Sequence, residues 1–487
     1  MNRSSSPPRT SQQPLDRLPS DLADQAARAS LFTLLDNVTF WSLLVLLVLI
    51  AIPYGGAENW WEAFFSCAVF ALCLLWIAEA MLSGSWRIAD RQLLLPAAAL
   101  IAYCFFQSIP LWQTNADALG AGNKIWYTVS ADPFETRRLA FKLGALILYG
   151  LLLLSHCSSP KRLRAVVNVI ISLAVASALY GILRQTTQRG TSFLFPFVQG
   201  SVGFGQFINQ NHFAFLMEMS FGLVSGMIIG GGVGRERKLI YLAALLPLWT
   251  SVVMANSRGG LLSMLGQLIF IALMFTSLHK AQTGPASTLS SRALKLAASL
   301  PVRILLGLCL AAAMIVGMIW VGGDPVVNKM GEMRQEINAP ETGLRQGTKR
   351  IEIWRATWQV IKEHPLAGVG LGGYWAVIPK YHDASGTMTP QQAHNDYLEL
   401  LASLGIIGTM LAVWLVTALL LRVRRPLGSK DPFRRAVCFG ALVGLLGVAL
   451  HSIADFGLHI TANAVVCATL LVLATVNGRT ERADSRQ

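Results

Sequence analysis

Three residues of this 487-residue chain combine a type and a setting that could do chemistry. His394, in the run AHNDYLELL, stands where a polar loop gives way to an apolar segment, and imidazole is the side chain best suited to take a proton near neutral pH. Arg258, in NSRGG, and Arg350, at the head of RIEIWRATW, are permanently charged groups beside apolar stretches. Blander readings exist for all three. A histidine at a helix start can belong to a capping cluster with Asn395 and Asp396, and an arginine at a membrane boundary is commonly an anchor whose head reaches water.

The elements that must position these residues are membrane spans. With 53% hydrophobic and 14% charged residues and a mean hydropathy of +0.50, the chain is too apolar for an ordinary soluble protein. Apolar runs of about twenty residues, enough to cross roughly 30 Å of hydrocarbon, number about twelve. They fall at 38–54, 60–83, 91–112, 138–156, 163–184, 211–234, 238–256, 260–278, 302–321, 397–421, 436–455 and 460–476. This predicts an all-α polytopic fold with a disordered cytoplasmic tail over 1–37, nine spans over 38–321, a long loop over 322–396, three spans over 397–476 and a tail over 477–487. Lys and Arg concentrate in alternate loops, in SWRIADR, SPKRLR, GRERK, the 280–303 connection, RVRRPLGSKDPFRR and NGRTERADSR. That set reads as cytoplasmic. Both termini are then inside, and the long loop, Arg258 and His394 are outside, on the periplasmic side of a double-membrane bacterium. The net charge of +14 follows from the same bias, with no aromatic-basic groove to suggest nucleic acid.

A connection this long is usually functional or disordered, and its sequence carries folding signals. In Lys349–His364, Ile351, Trp354, Trp358 and Ile361 recur at helical spacing and predict one apolar stripe, with Arg350 at its head and Pro365 after its end. The helix can rest on its own domain or on lipid headgroups. GVGLGG at 368–373 lacks the lysine and hydroxyl residue of a phosphate loop and the strand-turn-helix setting of a dinucleotide fold. It reads as a flexible turn that brings Tyr374 and Trp375 near the site, before a short helix at about 374–381. Asn211 and His212, in FINQNHFAF, form a polar group at the outer end of a span, with Glu218 two turns further in. Arg137 and Arg138 lie outside, beside the fourth span. Glu58 and Glu62 flank two tryptophans and read as a solvated turn. No HExxH and no external Asp-x-Asp suggests a metal, and the seven cysteines lie in or beside apolar segments, as packing residues rather than disulfides. Beyond Glu218 the spans read as nearly bare of ionisable groups, which weighs against the alternative of an anion transporter, for example of bicarbonate.

The order GQFINQNHFAF, NSRGG, then RIEIW with HPLAGVGLGGY, then AHNDYLELLASLGIIG closely resembles the O-antigen ligase and O-antigen polymerase family over about 203–415. The resemblance implies a GT-C-like membrane glycosyltransferase of lipopolysaccharide or exopolysaccharide biosynthesis. It would use undecaprenyl-pyrophosphate-linked glycan as donor and a glycan or lipid A-core as acceptor, with no metal or cofactor. By position, Arg258 and Arg350 match the family arginines that hold the pyrophosphate, and His394 matches the histidine that activates the acceptor hydroxyl. Asn211, His212, Tyr374, Asn395, Arg137 and Arg138 are possible supporting residues. Ligation, polymerisation and protein O-glycosylation stay open as outcomes.

Overall fold

The computed structural model describes residues 20–84, 91–115, 124–157, 159–187, 203–280, 350–382 and 390–476. Its long helices are α1 (Ser20–Ala51), α2 (Asn59–Ser83), α3 (Arg91–Gln107), α4 (Pro133–His156), α5 (Pro160–Thr187), α6 (Gln210–Ile229), α7 (Arg235–Ala255), α8 (Arg258–Lys280), α9 (Arg350–Glu363), α10 (Asp396–Leu420), α11 (Pro432–His451) and α12 (Thr461–Thr475). All but α3, α8, α9 and α12 are long and apolar enough to cross a membrane, and α3, α8 and α12 contribute shorter apolar helices. Each of these falls on an expected span, so the chain is an all-α multi-pass membrane protein. One small antiparallel ladder, β1 (Trp112–Asn115) with β2 (Lys124–Tyr127), follows α3. The expected span at 302–321, the loop residues 322–349 and the tail 477–487 lie outside the described residues.

Helix α1 starts earlier than expected. Residues 20–37, assigned above to a disordered tail, are helical. Their alanine and leucine content favours helix, and Arg162 of α5 pins the middle of the helix, with Nη2 at 2.5 Å from Asp36 Oδ2 and 2.7 Å from Asn37 Oδ1.

The tightest helix crossing brings α6 against α11. A Cβ on Gly226 would lie 2.1 Å from the Gly440 Cα, and one on Gly222 would lie 2.3 Å from the Gly444 nitrogen. Glycines four residues apart remove the side chains that would hold two backbones apart, which is how helices pack closely without a hydrophobic drive between them. Gln267 then fixes α8 on the pair by donating Nε2 to the carbonyls of Glu218 (2.9 Å) and Val443 (3.0 Å). The N-terminal ends of α6 and α8 and the C-terminal end of α11 therefore lie at one end of the bundle. On the outside of the bundle Leu239, Ile240, Leu246, Leu262 and Met410 stay exposed, the apolar surface that a bilayer covers.

The spans hold more buried ionisable groups than their sequences suggest. Glu79 of α2 meets His156 of α4 at 3.0 Å with both side chains 2% exposed. Glu62 is not part of a solvated turn: it is buried between Arg138 and Lys142 of α4. A carboxylate at such a depth requires a paired cation, and two long basic side chains one helical turn apart both reach it.

Helix α10 is broken at Gly405, where φ is +62° and ψ is −170°, a conformation essentially confined to glycine. The break frees backbone groups that the loop fills. Val369 and Gly370 donate to the carbonyls of Ala402 and Ser403, and Ile406 and Ile407 donate to those of Pro365 and Leu366. Gln107, the last residue of α3, adds Nε2 to the carbonyls of Ala367 (2.7 Å) and Ser403 (3.1 Å). The glycine run expected to be flexible is thus tied down by main-chain bonds, because backbone groups at a membrane boundary must find partners. A Cβ on Gly405 would lie 2.3 Å from the Leu366 carbonyl oxygen, whereas one on Gly150 would meet nothing closer than 4.0 Å. Gly405→Ala should destabilise the protein by about 2 kcal/mol or more, and Gly150→Ala should not. Thermal unfolding in detergent checks this: equal midpoints for the two variants would mean that the break is not a structural requirement.

Candidate functional site

The polar residues at this end of the bundle converge on one carboxylate. Asp455, in the turn between α11 and α12, is 1% exposed. Its Oδ1 lies 3.4 Å from Nδ1 of His394 and its Oδ2 lies 3.4 Å from Nη2 of Arg350. Oδ2 also accepts from Nδ2 of Asn211, and Oδ1 accepts from the Phe456 backbone N–H at 2.9 Å. Burial alone would raise this carboxyl. The nearby His394 ring, the charges of His212 and Arg350 and the Phe456 N–H outweigh it, and hold the group well below the usual carboxylate range. Sequence reasoning passed over Asp455. The available signal was an acidic residue in a short turn with His451 and His459 four positions to either side.

Asn211 joins this carboxylate to the turn that carries Arg258. Its Oδ1 accepts from Ser257 Oγ at 2.8 Å, and the same hydroxyl accepts the Gly260 N–H at 3.2 Å. The turn is made possible by Asn256, which caps α7 in the left-handed conformation at φ +56°, a conformation that asparagine tolerates better than most residues. Beneath it, a Cβ on Gly259 would lie 2.3 Å from Nε2 of His451, and that ring stacks on Phe215 at 4.1 Å. Arg258 is half-buried at the first position of α8. Asn211, Arg350 and His394 therefore meet at Asp455, and Arg258 follows Ser257, which bonds to Asn211.

Arg350 is carried to Asp455 by α9, whose buried face differs from the expected stripe. Ala356, Val360 and Ile361 pack with Tyr374, Ile378, Ala393 and Ala402, while Ile351 and Trp358 stay exposed. The small residues Ala356 and Thr357 allow the closer approach, and Thr357 Oγ1 lies 2.7 Å from the Tyr374 hydroxyl. Tyr374 is thus a fully buried member of this small core, and its neighbour Trp375 is 49% exposed. Of the two arginines beside the fourth span, Arg138 is taken up by Glu62 and Glu135 and Arg137 is exposed.

His394 itself sits at φ +50°, in the left-handed region that costs a residue with a Cβ. Asn395 holds its C-terminal side: Oδ1 caps α10 by accepting from Tyr397 and Leu398 N–H at 3.0 Å, and Nδ2 donates to the Ile453 carbonyl at 2.8 Å. The Phe456 ring lies edge-on to both His212 and His394, with centroids 4.8 Å away, and to His459 at 5.9 Å. Burial pushes the His459 imidazole down from its ordinary value, against the pull of Asp396. His394 keeps a third of its side chain exposed, with one ring nitrogen toward Asp455 and the other free to face a ligand.

Chemically, such a set offers an imidazole and a guanidinium on one carboxylate, with a second arginine at the start of α8 beside Ser257. Asp36, Glu79 and His156 bring one ligand atom each within 4.8 Å, yet Arg162 already occupies Asp36, and His156 ends α4 at the side opposite Thr136 and the loop it contacts.

Residues 242–413 match a family model described as O-antigen ligase. The match spans Arg258, Arg350 and His394 and stops short of Asn211 and Asp455. No curated protein matches the chain.

Because the Asp455 carboxyl is depressed in the folded state, the stability it contributes is fully present above the unfolded carboxylate value of about 3.9 and is lost only as pH falls from there through the folded value. Asp455→Asn should therefore lower the unfolding midpoint by the same amount at pH 7 and at pH 5. Thermal melts of the two proteins at both values measure it, and a difference present at pH 7 but gone at pH 5 would assign the effect to another group.

Proposed function

We propose that this chain, which belongs to the O-antigen ligase family, transfers a glycan from an undecaprenyl-pyrophosphate donor to an acceptor hydroxyl at the periplasmic face of a bacterial inner membrane. The family membership makes it a membrane glycosyltransferase of the O-antigen ligase type; it lends no support to anion transport. The basic loops support a topology with both termini in the cytoplasm. The observation that carries the reading is the convergence of His394 and Arg350 on Asp455, which Asn211 and Ser257 connect to the Arg258 turn.

The chemistry follows from the residue types. Asp455 faces Nδ1 of His394, so Nε2 is left to take the proton of the attacking sugar hydroxyl, the division of labour found wherever a carboxylate orients a histidine base. As the proton moves to Nε2, the hydroxyl oxygen bonds to the anomeric carbon. The bond from that carbon to the pyrophosphate oxygen breaks on the opposite face, and the configuration inverts. The electron pair leaves with undecaprenyl pyrophosphate, whose added negative charge is met by Arg258 and Arg350. Arginine suits this work because its planar fork binds two phosphate oxygens at once and stays charged. Arg350 has donors to spare: one Nη2 contact goes to Asp455, and 41% of the side chain remains exposed. With two fixed cations on the leaving group, the reaction as proposed runs without a metal.

The acceptor, a lipid A-core in a ligase or a growing glycan in a polymerase, is read by the periplasmic loop. Purified wild type, Arg258→Ala, Arg350→Ala and His394→Ala, assayed with lipid-linked donor, test the reading. Transfer should fall by about 100-fold or more in each, with membrane insertion unchanged. Full activity of His394→Ala would remove the proposed base. The product that disappears on deletion of the protein, lipid A-linked glycan or long free polymer, separates ligation from polymerisation.

A further inference from the structure

The structure assigns a positioning role to Glu399, which no part of the scheme above uses; the assignment rests on reading His394 as the base. Glu399 lies in the first turn of α10 and is 6% exposed. Its two oxygens face in different directions. Oε2 accepts the backbone N–H of Ala393 at 2.8 Å, the residue immediately before His394. Oε1 lies 3.3 Å from Nε2 of His459, whose ring meets the edge of Phe456, which in turn meets the edge of the His394 ring. One carboxylate thus reaches the base by two routes, through the backbone that leads into it and through a chain of rings behind it.

The need for such a support is visible in the backbone. His394 adopts φ +50°, and residues with a Cβ stay in this region only where their surroundings over-determine them. On the C-terminal side the surroundings are the Asn395 side chain on the Ile453 carbonyl and the Asp396 N–H on the Ser452 carbonyl at 3.0 Å. Those bonds alone would let the segment pivot about residue 394. The Ala393 N–H held by Glu399 closes the pivot from the N-terminal side. The ring of His394 is then fixed with Nδ1 toward Asp455 and the opposite nitrogen outward. Asparagine and glycine accept φ +50° readily, but neither supplies a base, so the strain is retained and the bonds around it hold it.

This predicts a division between chemistry and binding. Loss of the support lets the imidazole wander, and displacement of a reacting group by about 1 Å costs on the order of 100-fold in rate. The donor's pyrophosphate contacts, made by the arginines, are untouched.

The test compares Glu399→Ala, Glu399→Gln and Phe456→Leu in purified enzyme, each with its unfolding midpoint and with kcat and donor KM from initial rates. Glutamine keeps an oxygen that can accept the Ala393 N–H. Glu399→Ala should lower kcat by about 100-fold with donor KM within about twofold, Glu399→Gln should recover most of that loss, and Phe456→Leu should fall between. Glu399→Gln as slow as Glu399→Ala would show that the charge matters rather than the support, and overturns the assignment. So would a parallel loss of donor binding and unfolding midpoint in Glu399→Ala, the mark of a merely structural residue. If Glu399→Ala does not fold, Glu399→Gln and Phe456→Leu still decide: unchanged kcat in Phe456→Leu together with abolished kcat in Glu399→Gln rejects the proposal. His394→Ala, measured alongside, keeps the two readings apart. Its full activity would sink the base itself, whereas an inactive His394→Ala with a fully active Glu399→Ala would sink only the support.

Discussion

A buried carboxylate is the constraint on which one end of this helix bundle depends. Asp455 is 1% exposed, and an isolated charge at that depth would neutralise itself or unfold its surroundings. It stays ionised because donors from four parts of the chain are brought to it: Asn211 at the start of α6, Arg350 at the start of α9, His394 before α10 and its own neighbour Phe456. The requirement runs in both directions. The carboxylate needs the donors, and the donors, carried by separate segments of the chain, meet at it. The close glycine crossing of α6 with α11 is what makes the meeting possible, since it sets Asn211 beside the turn after α11.

Much of the fold could be read from the sequence because the membrane imposes a simple rule: a run of apolar residues must be a helix and must be long enough. The spans and the start of α9 at Arg350 follow from that rule and from periodicity. Other features escaped it for identifiable reasons. The rotation of α9 depends on which partner its faces meet, and Ala356 and Thr357 carry no strong signal by themselves although they form the contact. Glu62 looked solvated because it flanks interfacial tryptophans, and only the arrival of Arg138 and Lys142 from α4 shows why it is buried. Residues 20–37 looked like a tail because their charges mask the helical propensity that Arg162 helps to fix.

The site divides in the same way. His394, Arg258 and Arg350 could be singled out one at a time, by type and by their outward placement, and Asn211 by its position at the end of a span. Asp455 could not in the same way: its local signal, an acidic residue in a short turn with a histidine on either side, gains meaning only from the segments between Asn211 and His394 that meet it. Tyr374 was expected near the chemistry and instead closes the small core beneath α9 through Thr357. A hydroxyl in a glycine-rich stretch does not reveal from sequence whether it faces a ligand or a neighbour.

The break at Gly405 gives the described part of the outer loop a character that its length alone does not suggest. A long polar insertion joined to a membrane helix at its two ends would pivot about those joints. Here the segment 365–370 is also bonded through its main chain to both sides of the break in α10, and Gln107 of α3 donates to one carbonyl of each, Ala367 and Ser403. Such bonds do not slide, because each donor has one acceptor and a shift by one residue would leave several buried groups without partners. Helix α9, which follows the same core, is therefore set at a fixed height above the spans. That matters for Arg350, whose reach to Asp455 is already long at 3.4 Å. A loop free to rise by a few ångströms would carry this guanidinium away from Asp455 and from the half of the site that holds Arg258. The glycine that breaks the helix is thus part of what holds Arg350 at Asp455, beside His394.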